Sequence, residues 1–407
     1  MILLYIDPAS TSALLYIFIA IGATLAFTLK GSFYRVLNFV KGKGFKNNYD
    51  FEGYDILFYS EGKQYWNVFL PVIKALEKKN IQCGYLTSDE NDPGLSYESS
   101  LMKAKYIGNL TMTSVYLNKL EAKFVGMTTP QLDVMMIRRS KKVGHYGHIV
   151  HAPIDIFSYR KFAFDYFDSV FCSGYHQIEG IQKLEEKRGT DKKLLLKSGL
   201  TYYDVMLEYN KKNGFARLDN KVVLVAPTWK EYSILNRFGV RFFENLLKDT
   251  TFDVILRPHP QSYVSFPEVI GEIEKHFENE PRFSVDRNPL ANESMEKSSV
   301  MISDLSGVIW DYAFLYAKPV MLLKTEADAM LGFEGSELDY EMWEMRERPR
   351  LGKNFDENDI DNIGAIVTET IENPSVNTLE TLRDESVYNF GKAGETVATQ
   401  IIDIVNK

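Results

Sequence analysis

From Gly53 onward, short apolar runs alternate with longer amphipathic ones, and few folds accommodate that alternation. Residues 56–59 read as a strand, 65–79 as a helix and 81–86 as a strand, the order in which a parallel sheet grows through crossover helices. Strands at 123–127, 169–172 and 194–197 and a helix at 175–187 continue the series. A Lys- and Asn-rich stretch, 208–220, breaks it and reads as a linker. The alternation then resumes, with strands at 222–226, 252–256, 300–302 and 320–323 and helices at 241–248, 266–277 and 308–316. The tail, 359–406, reads as wholly helical. The expected architecture is α/β: two Rossmann-like domains with helices on both sheet faces, facing each other across a cleft. The expected divisions are 1–48, 49–208 for an acceptor domain, 209–220 for the linker, 221–380 for a nucleotide-binding domain and 381–407 for a C-terminal helix. A length of 407 residues suits two such domains with an appendage.

The appendage is apolar. No charged residue occurs between Pro8 and Leu29, and 12–29 is long enough to span a bilayer core, so one transmembrane helix is expected. Only Asp7 precedes it among charged residues, whereas Lys30, Arg35, Lys41, Lys43 and Lys46 follow it. That bias places the soluble body on the cytoplasmic side of the cell membrane, against its inner face. For the chain as a whole, 47 Lys and Arg against 55 Asp and Glu, a net charge of -8, exclude a general nucleic-acid binder. Two cysteines, Cys83 and Cys172, provide neither a disulfide framework nor a cysteine-built zinc site.

Neither a GxxxxGK[ST] loop nor a GxGxxG fingerprint is present, so phosphate recognition has to come from elsewhere. The segment 302–307, Ile-Ser-Asp-Leu-Ser-Gly, follows an apolar strand and opens a helix. Ser303, Asp304, Ser306 and Gly307 thus stand where free N–H groups and a helix dipole favour an anion, or where a plain N-cap and tight turn would. Asp311, one turn further, is placed either for ribose hydroxyls or as a solvated helix charge. Arg257 and His259 end another strand between prolines and suit diphosphate oxygens, as fixed charge and as donor. Thr228 and Lys230 arrive at the end of a third strand, with Trp229 between them as packing. His145, His148 and His151 are spaced by three, but Gly144, Gly147 and Pro153 oppose a helix that would converge them on a metal. The preferred reading has no metal and no cofactor, with His151 projecting from a strand end as a general base.

Taken in order, these segments resemble the CDP-glycerol glycerophosphotransferase family, the primases and polymerases of teichoic-acid-like polymers. Residues 226–230 (APTWK) and 256–260 (LRPHP) are similar to its APTW and R-x-HP segments. Residues 302–306 with Asp311-Tyr312-Ala313 and Lys318-Pro319 resemble its SDYSS…DFA…KP run. Lys197-Ser198-Gly199-Leu200 with Asp204 is similar to its GxPRxD step, without the Pro and Arg. His151-Ala152-Pro153 falls at the family's HGxPxK motif, with Ala152 for the Gly and Asp155 or Ile156 near the Lys position. Gly307 stands where a second Ser is usual. The resemblance implies a GT-B fold, a CDP-activated polyol donor and a lipid-linked or polymer glycan acceptor. It also implies that His151 and His259 are catalytic, with Thr228, Lys230, Arg257, Ser303, Asp304, Ser306, Gly307 and Asp311 on the donor. His151 takes a proton from the acceptor hydroxyl, which attacks phosphorus and releases CMP. Two other readings share the fold: a UDP-sugar glycosyltransferase or epimerase-like enzyme, and a non-catalytic anchored scaffold.

Overall fold

The computed structural model describes residues 51–108, 110–135, 137–213, 221–288, 291–304, 306–324, 333–373 and 376–407. The expected membrane helix and its basic flank lie outside the described residues. Among the described residues, no helix is long and apolar enough to cross a membrane. Contacts divide the chain at Glu52, and everything below concerns the unit from Gly53 to Lys407.

Two parallel sheets organise that unit. The first contains β1 (Ile56–Ser60), β2 (Cys83–Thr87), β3 (Met102–Tyr106), β4 (Glu121–Met127), β5 (Lys142–Ile149), β6 (Ser169–Cys172) and β7 (Leu194–Lys197), in the order β3-β2-β1-β4-β5-β6-β7. The second contains β8 (Val222–Val225), β9 (Asp253–Leu256), β10 (Phe283–Val285), β11 (Val300–Ser303), β12 (Val320–Leu323) and β13 (Gly352–Phe355), in the order β10-β9-β8-β11-β12-β13. The sequences VVLV of β8, VMIS of β11 and VMLL of β12 are buried at every position, because helices cover both faces of the sheet. Each sheet reverses its strand order beside its first strand, the pattern of doubly wound folds whose ligands sit at the carboxyl ends of the strands.

The helices used below are α1 (Trp66–Lys78), α2 (Leu110–Leu117), α3 (Tyr175–Arg188), α4 (Thr201–Asn213), α5 (Ile234–Lys248), α6 (Ser262–Ser265), α7 (Pro267–His276), α8 (Asn292–Lys297), α9 (Val308–Tyr316), α10 (Trp343–Glu347), α11 (Ile363–Glu372), α12 (Val376–Ser386) and α13 (Ala393–Val405). Local chemistry explains several ends. The C-cap of α3 is Gly189 at φ 62°, a left-handed position that suits glycine. Ser233 caps α5 by accepting from Asn236 N, and α5 begins well before the expected residue 241, with a break at Gly239 (φ 49°, ψ -133°). The polar stretch expected as a linker starts inside α4, and 214–220 lies outside the described residues. The tail is not one helical run, because Asn389 and Gly391 take positive φ between α12 and α13.

Three apolar clusters hold the unit together. One, containing Phe69, Val72 and Ile149, is closed by Val397, Ala398 and Ile401 of α13. Another packs α5, α7 and α11 on the second sheet. The third belongs to both halves, since Val150, Ile156 and Phe164 share it with Trp310, Phe314 and Trp343. The two halves therefore meet through a common core. Helix α13 reinforces this by returning to the first sheet. Asp204 of α4 accepts from Ala393 N and Gly394 N at its start, and a Cβ on Gly394 would stand 2.4 Å from Pro71 Cβ.

Candidate active site

The loops after β8, β9 and β11 leave one edge of the second sheet, because all its strands are parallel. β9 and β11 lie on either side of β8, about 10 Å apart at two strand spacings. Ser303 and Asp304 end β11, and both are fully buried and turned toward the β8 loop. Ser303 Oγ donates to Ala226 O at 2.6 Å. Asp304 Oδ1 accepts from Thr228 N at 2.7 Å and Oδ2 from Ile234 N at 3.1 Å. Burial raises its carboxyl to about 6, against the lowering effect of those two amides. Together these bonds fix the course of residues 226–234. Ser303 and Asp304 thus shape the site from behind, and Thr228, buried itself, lends its amide to the same tie.

The groups left outward are different ones. Lys230 is exposed, with Nζ 4.2 Å from the centre of the Trp229 ring. Ser306 is half-buried and Gly307 exposed. Gly307 is the N-cap of α9 at φ -62° and ψ -22°, with no side-chain cap, while Ile309 N and Trp310 N donate to Ser306 O and Gly307 O at 3.4 and 3.2 Å. This glycine is not required by its backbone angles. His259 is exposed, its Nδ1 accepting from Gln261 N at 3.1 Å, which puts the proton of the neutral ring on Nε2. Partial burial lowers its pKa.

Arg257 and Asp311 have partners of their own. Arg257 Nη1 binds Asp286 Oδ2 at 2.6 Å, and Nη2 donates to Asn288 O at 2.9 Å. Ser294 Oγ donates to the same Asp286 oxygen at 2.6 Å. The guanidinium expected as a free diphosphate charge is instead neutralised by a carboxylate, and it holds the loop after β10. Asp311 Oδ1 accepts from Tyr203 OH at 3.0 Å and from Tyr202 OH, both on α4. Burial raises the Asp311 carboxyl to about 6, while those phenols oppose the shift. The ribose expectation for Asp311 thus meets a carboxylate already used to join α4 to α9.

In the first half, β5 carries the three histidines into different surroundings. His145 Nε2 lies 2.9 Å from Ser169 Oγ, and its ring stacks on Phe124. His148 is buried among the rings of Tyr159, Phe164 and Phe167, and burial pushes it down to about 3. His151 lies beyond the strand end with its ring edge against Tyr65. Its Nδ1 is buried without a hydrogen-bond partner, and burial lowers its pKa to about 4. Among the described residues, no three His, Cys, Asp or Glu side chains gather as metal ligands.

The loop after His151 is pinned. Gln177 Nε2 donates to Ala152 O and Ile154 O, and His176 Nε2 lies 3.1 Å from Pro153 O. Asp155 Oδ2 accepts from Trp343 N at 3.0 Å, and Asp155 N donates to Glu344 Oε1 at 3.1 Å, so α10 of the second half grips this loop. Burial pushes Asp155 up and Glu344 up to about 8, Glu344 also facing the Asp155 charge. The Trp343 ring lies between His176 and Trp310, at 4.2 and 4.3 Å. A Cβ on Gly307 would stand 3.8 Å from Ile154 Cγ2, which brings the start of α9 to the loop that carries His151. Sequence reasoning missed Asp155 to Glu344, His176 to Trp343 and Tyr202 to Asp311. Each joins residues more than a hundred positions apart, and no local pattern announces them.

Residues 176–344, from α3 through the start of α10, match the family described as CDP-Glycerol:Poly(glycerophosphate) glycerophosphotransferase. The match includes the loops after β8, β9 and β11 and excludes His151. A solved structure of the wall teichoic acid polymerase TagF aligns over 94% of this chain and 98% of its own, at 16% identity and a TM-score of 0.58. A TagF variant soaked with CDPG aligns with the same coverage, at 15% identity and 0.59. UDP-GlcNAc 2-epimerase from Neisseria meningitidis, bound to UDP-GlcNAc, aligns over 86% of this chain and 99% of its own, at 15% identity and 0.55. No curated protein sequence matches the chain. The structural likenesses support two Rossmann-like halves consistent with GT-B, and the segment 176–344 is similar to the CDP-glycerol:poly(glycerophosphate) glycerophosphotransferase family.

Proposed function

We propose that the chain transfers a polyol phosphate, glycerol phosphate or a close relative, from a CDP-activated donor to a hydroxyl of a lipid-linked or polymer glycan. The observation that carries this reading is the approach of the uncapped start of α9 to the His151 loop, within the reach of one substrate. The donor diphosphate lies between that helix start and the loops after β8 and β9, near Lys230 and His259 Nε2. Arg257 holds the neighbouring loop. The neutral imidazole of His151 accepts the proton of the acceptor hydroxyl. The hydroxyl oxygen bonds to the polyol-side phosphorus, the bond from that phosphorus to the bridging oxygen breaks, and CMP leaves. Positioning and fixed charge supply the catalysis. The apolar segment 12–29 would hold the body at the cytoplasmic membrane face, where such an acceptor lies.

The test is a donor screen. CDP-glycerol, CDP-ribitol and UDP-sugars are compared for CMP or UDP release and for their effect on melting temperature. The reading expects CMP release and stabilisation by a CDP-polyol. The likeness to UDP-GlcNAc 2-epimerases favours a second reading, a UDP-sugar enzyme, and stabilisation by UDP-sugars alone would establish it in place of the first.

A further inference from the structure

The geometry points to Trp343 as a positioning residue for the transfer reaction, one that sets how far the His151 loop stands from the start of α9. In this role, which rests on the reaction proposed above, it acts through its two neighbours rather than on substrate. The Trp343 ring is fully buried between two others. One face stacks on His176 of the first half, with centroids 4.2 Å apart and planes 13° from parallel. The other meets Trp310 of the second half at 4.3 Å and 37°. His176 continues the line to the base loop. Burial pushes its ring down to about 3, so it carries one proton, and the Pro153 carbonyl oxygen at 3.1 Å requires that proton on Nε2. Trp310 continues the line to the donor side, as the third residue of α9, whose N-cap is Gly307. Packed rings yield little to compression, so three of them in contact hold the two loops at one separation.

The way the chain delivers Trp343 sets it apart from ordinary core. Between β12 and β13 the polypeptide leaves the second sheet, and part of that excursion, 333–347, lies on the first half. Glu334 Oε1 accepts from Ala163 N at 2.9 Å, the Tyr340 and Phe157 rings meet edge-on at 5.0 Å, and Lys187 Nζ donates to Glu337 O at 2.7 Å. Trp343 follows on the same arm. Its amide donates to Asp155 Oδ2 at 3.0 Å, four residues beyond His151, so its backbone and its ring hold the same loop. The arrangement also gives up stability. Trp343 Nε1 and Glu344 Oε2 are buried with no hydrogen-bond partner among the described residues. A Phe or Leu at 343 would strand no indole N–H, so the tryptophan calls for a reason other than stability.

Two neighbours fit the role less well. Ile154 approaches Gly307 but belongs to the base loop and moves with it. Gln177 donates to Ala152 O and Ile154 O, yet it stands in the same half as His151, so it shapes the loop without referring it to α9. Of the three, Trp343 is the one that touches a ring from each half and the loop backbone as well.

The test uses the full chain and three variants. Trp343→Leu removes the ring and keeps an apolar side chain, and Trp343→Phe keeps a ring. Leu246→Ala, in the separate cluster under α5, is the control for lost stability alone. CMP release from the CDP-polyol that the parent uses gives kcat and KM. Carbethoxylation by diethylpyrocarbonate, read by peptide mass spectrometry, gives the reactivity of His151 relative to that of exposed His259. For Trp343→Leu the expected result is a kcat lowered on the order of a hundredfold, a donor KM within about twofold of the parent, and His151 labelled several-fold faster. Trp343→Phe should recover part of the kcat, and it decides the matter if the leucine variant does not fold. Leu246→Ala, measured where it is folded, should match the parent in kcat and in labelling. A kcat for the Trp343 variants equal to that of Leu246→Ala overturns the proposal, and so does a fall in kcat matched by an equal rise in donor KM. A parent that releases no CMP from any CDP-polyol removes the transfer reading instead. Labelling then decides alone: faster His151 in Trp343→Leu upholds the hold on the loop, and equal rates end it.

Discussion

The two halves position their polar groups by opposite means. At the edge of the second sheet, polar side chains are tied to one another: Asp304 to two amides, Ser303 to a carbonyl, Arg257 to Asp286. In the first half, His148 and His151 lie among aromatic rings, and what fixes their protonation is removal from water. A tied site keeps its shape at the expense of free charge, and a desolvated one keeps a neutral base where water would favour the cation. This contrast explains why the residues that looked most like ligands in the second half are largely its framework.

Four experiments break or sharpen that contrast. The largest effect is expected at His151. His151→Ala should lower CMP release by about 10²- to 10⁴-fold, the range for a general base, with nucleotide affinity nearly unchanged. Isothermal titration beside a release assay decides it, and unchanged turnover removes His151 as the base. Next, Asp304→Ala should cost about 2–4 kcal/mol of stability, because it strands two buried amides. A melting temperature close to that of the parent would show that the tie is dispensable.

The third experiment is titration, in which the two groupings respond with opposite sign. His148 and His176, near 3, and His151, near 4, have folded pKa values below the usual 6.5. Their contribution is complete above that value and is lost as pH falls toward 3–4. Glu344, raised to about 8, binds its proton more tightly folded than unfolded, so its contribution is complete below the usual 4.3 and is lost as pH rises toward 8. Glu344→Gln should therefore raise the melting temperature relative to the parent at pH 8 and change it little at pH 4.5. A gap that does not vary with pH would contradict the neutral Glu344. The smallest effect belongs to Gly307→Ala. The helical backbone and the 3.8 Å neighbour leave room for a methyl group, so stability should change by less than about 1 kcal/mol. A donor KM raised several-fold at unchanged stability would place phosphate against that amide, and an unchanged KM would place it elsewhere.

Legibility in the sequence followed the same division. Strands 169–172 and 320–323 are where the apolar runs put them, because continuous burial leaves an uninterrupted signal, and strand 194–197 and the helix 308–316 match their expected bounds although they are only partly buried. β5 gave no such signal, since its sequence KVGHYGHI is broken by glycines, and β3, MKAKY, alternates lysines along an exposed edge. That the loops after β8, β9 and β11 share one edge of the sheet was legible from their position alone. What Asp304, Arg257 and Asp311 do there was not, because their partners lie 29 to 109 positions away. Side-chain type identified groups able to meet phosphate, and tertiary packing committed some of them to the protein.

Helix α13 has a consequence for how the molecule can be taken apart. The polypeptide leaves the first sheet for the second after α4 and comes back to it after α12, so the C-terminus belongs to the half where β1 begins. A protease nick between 213 and 221 would sever the covalent link at one crossing and leave the other intact. Both halves would stay fastened, whereas trimming the last fifteen residues would strip the outer layer from α1 and loosen the half that holds His151.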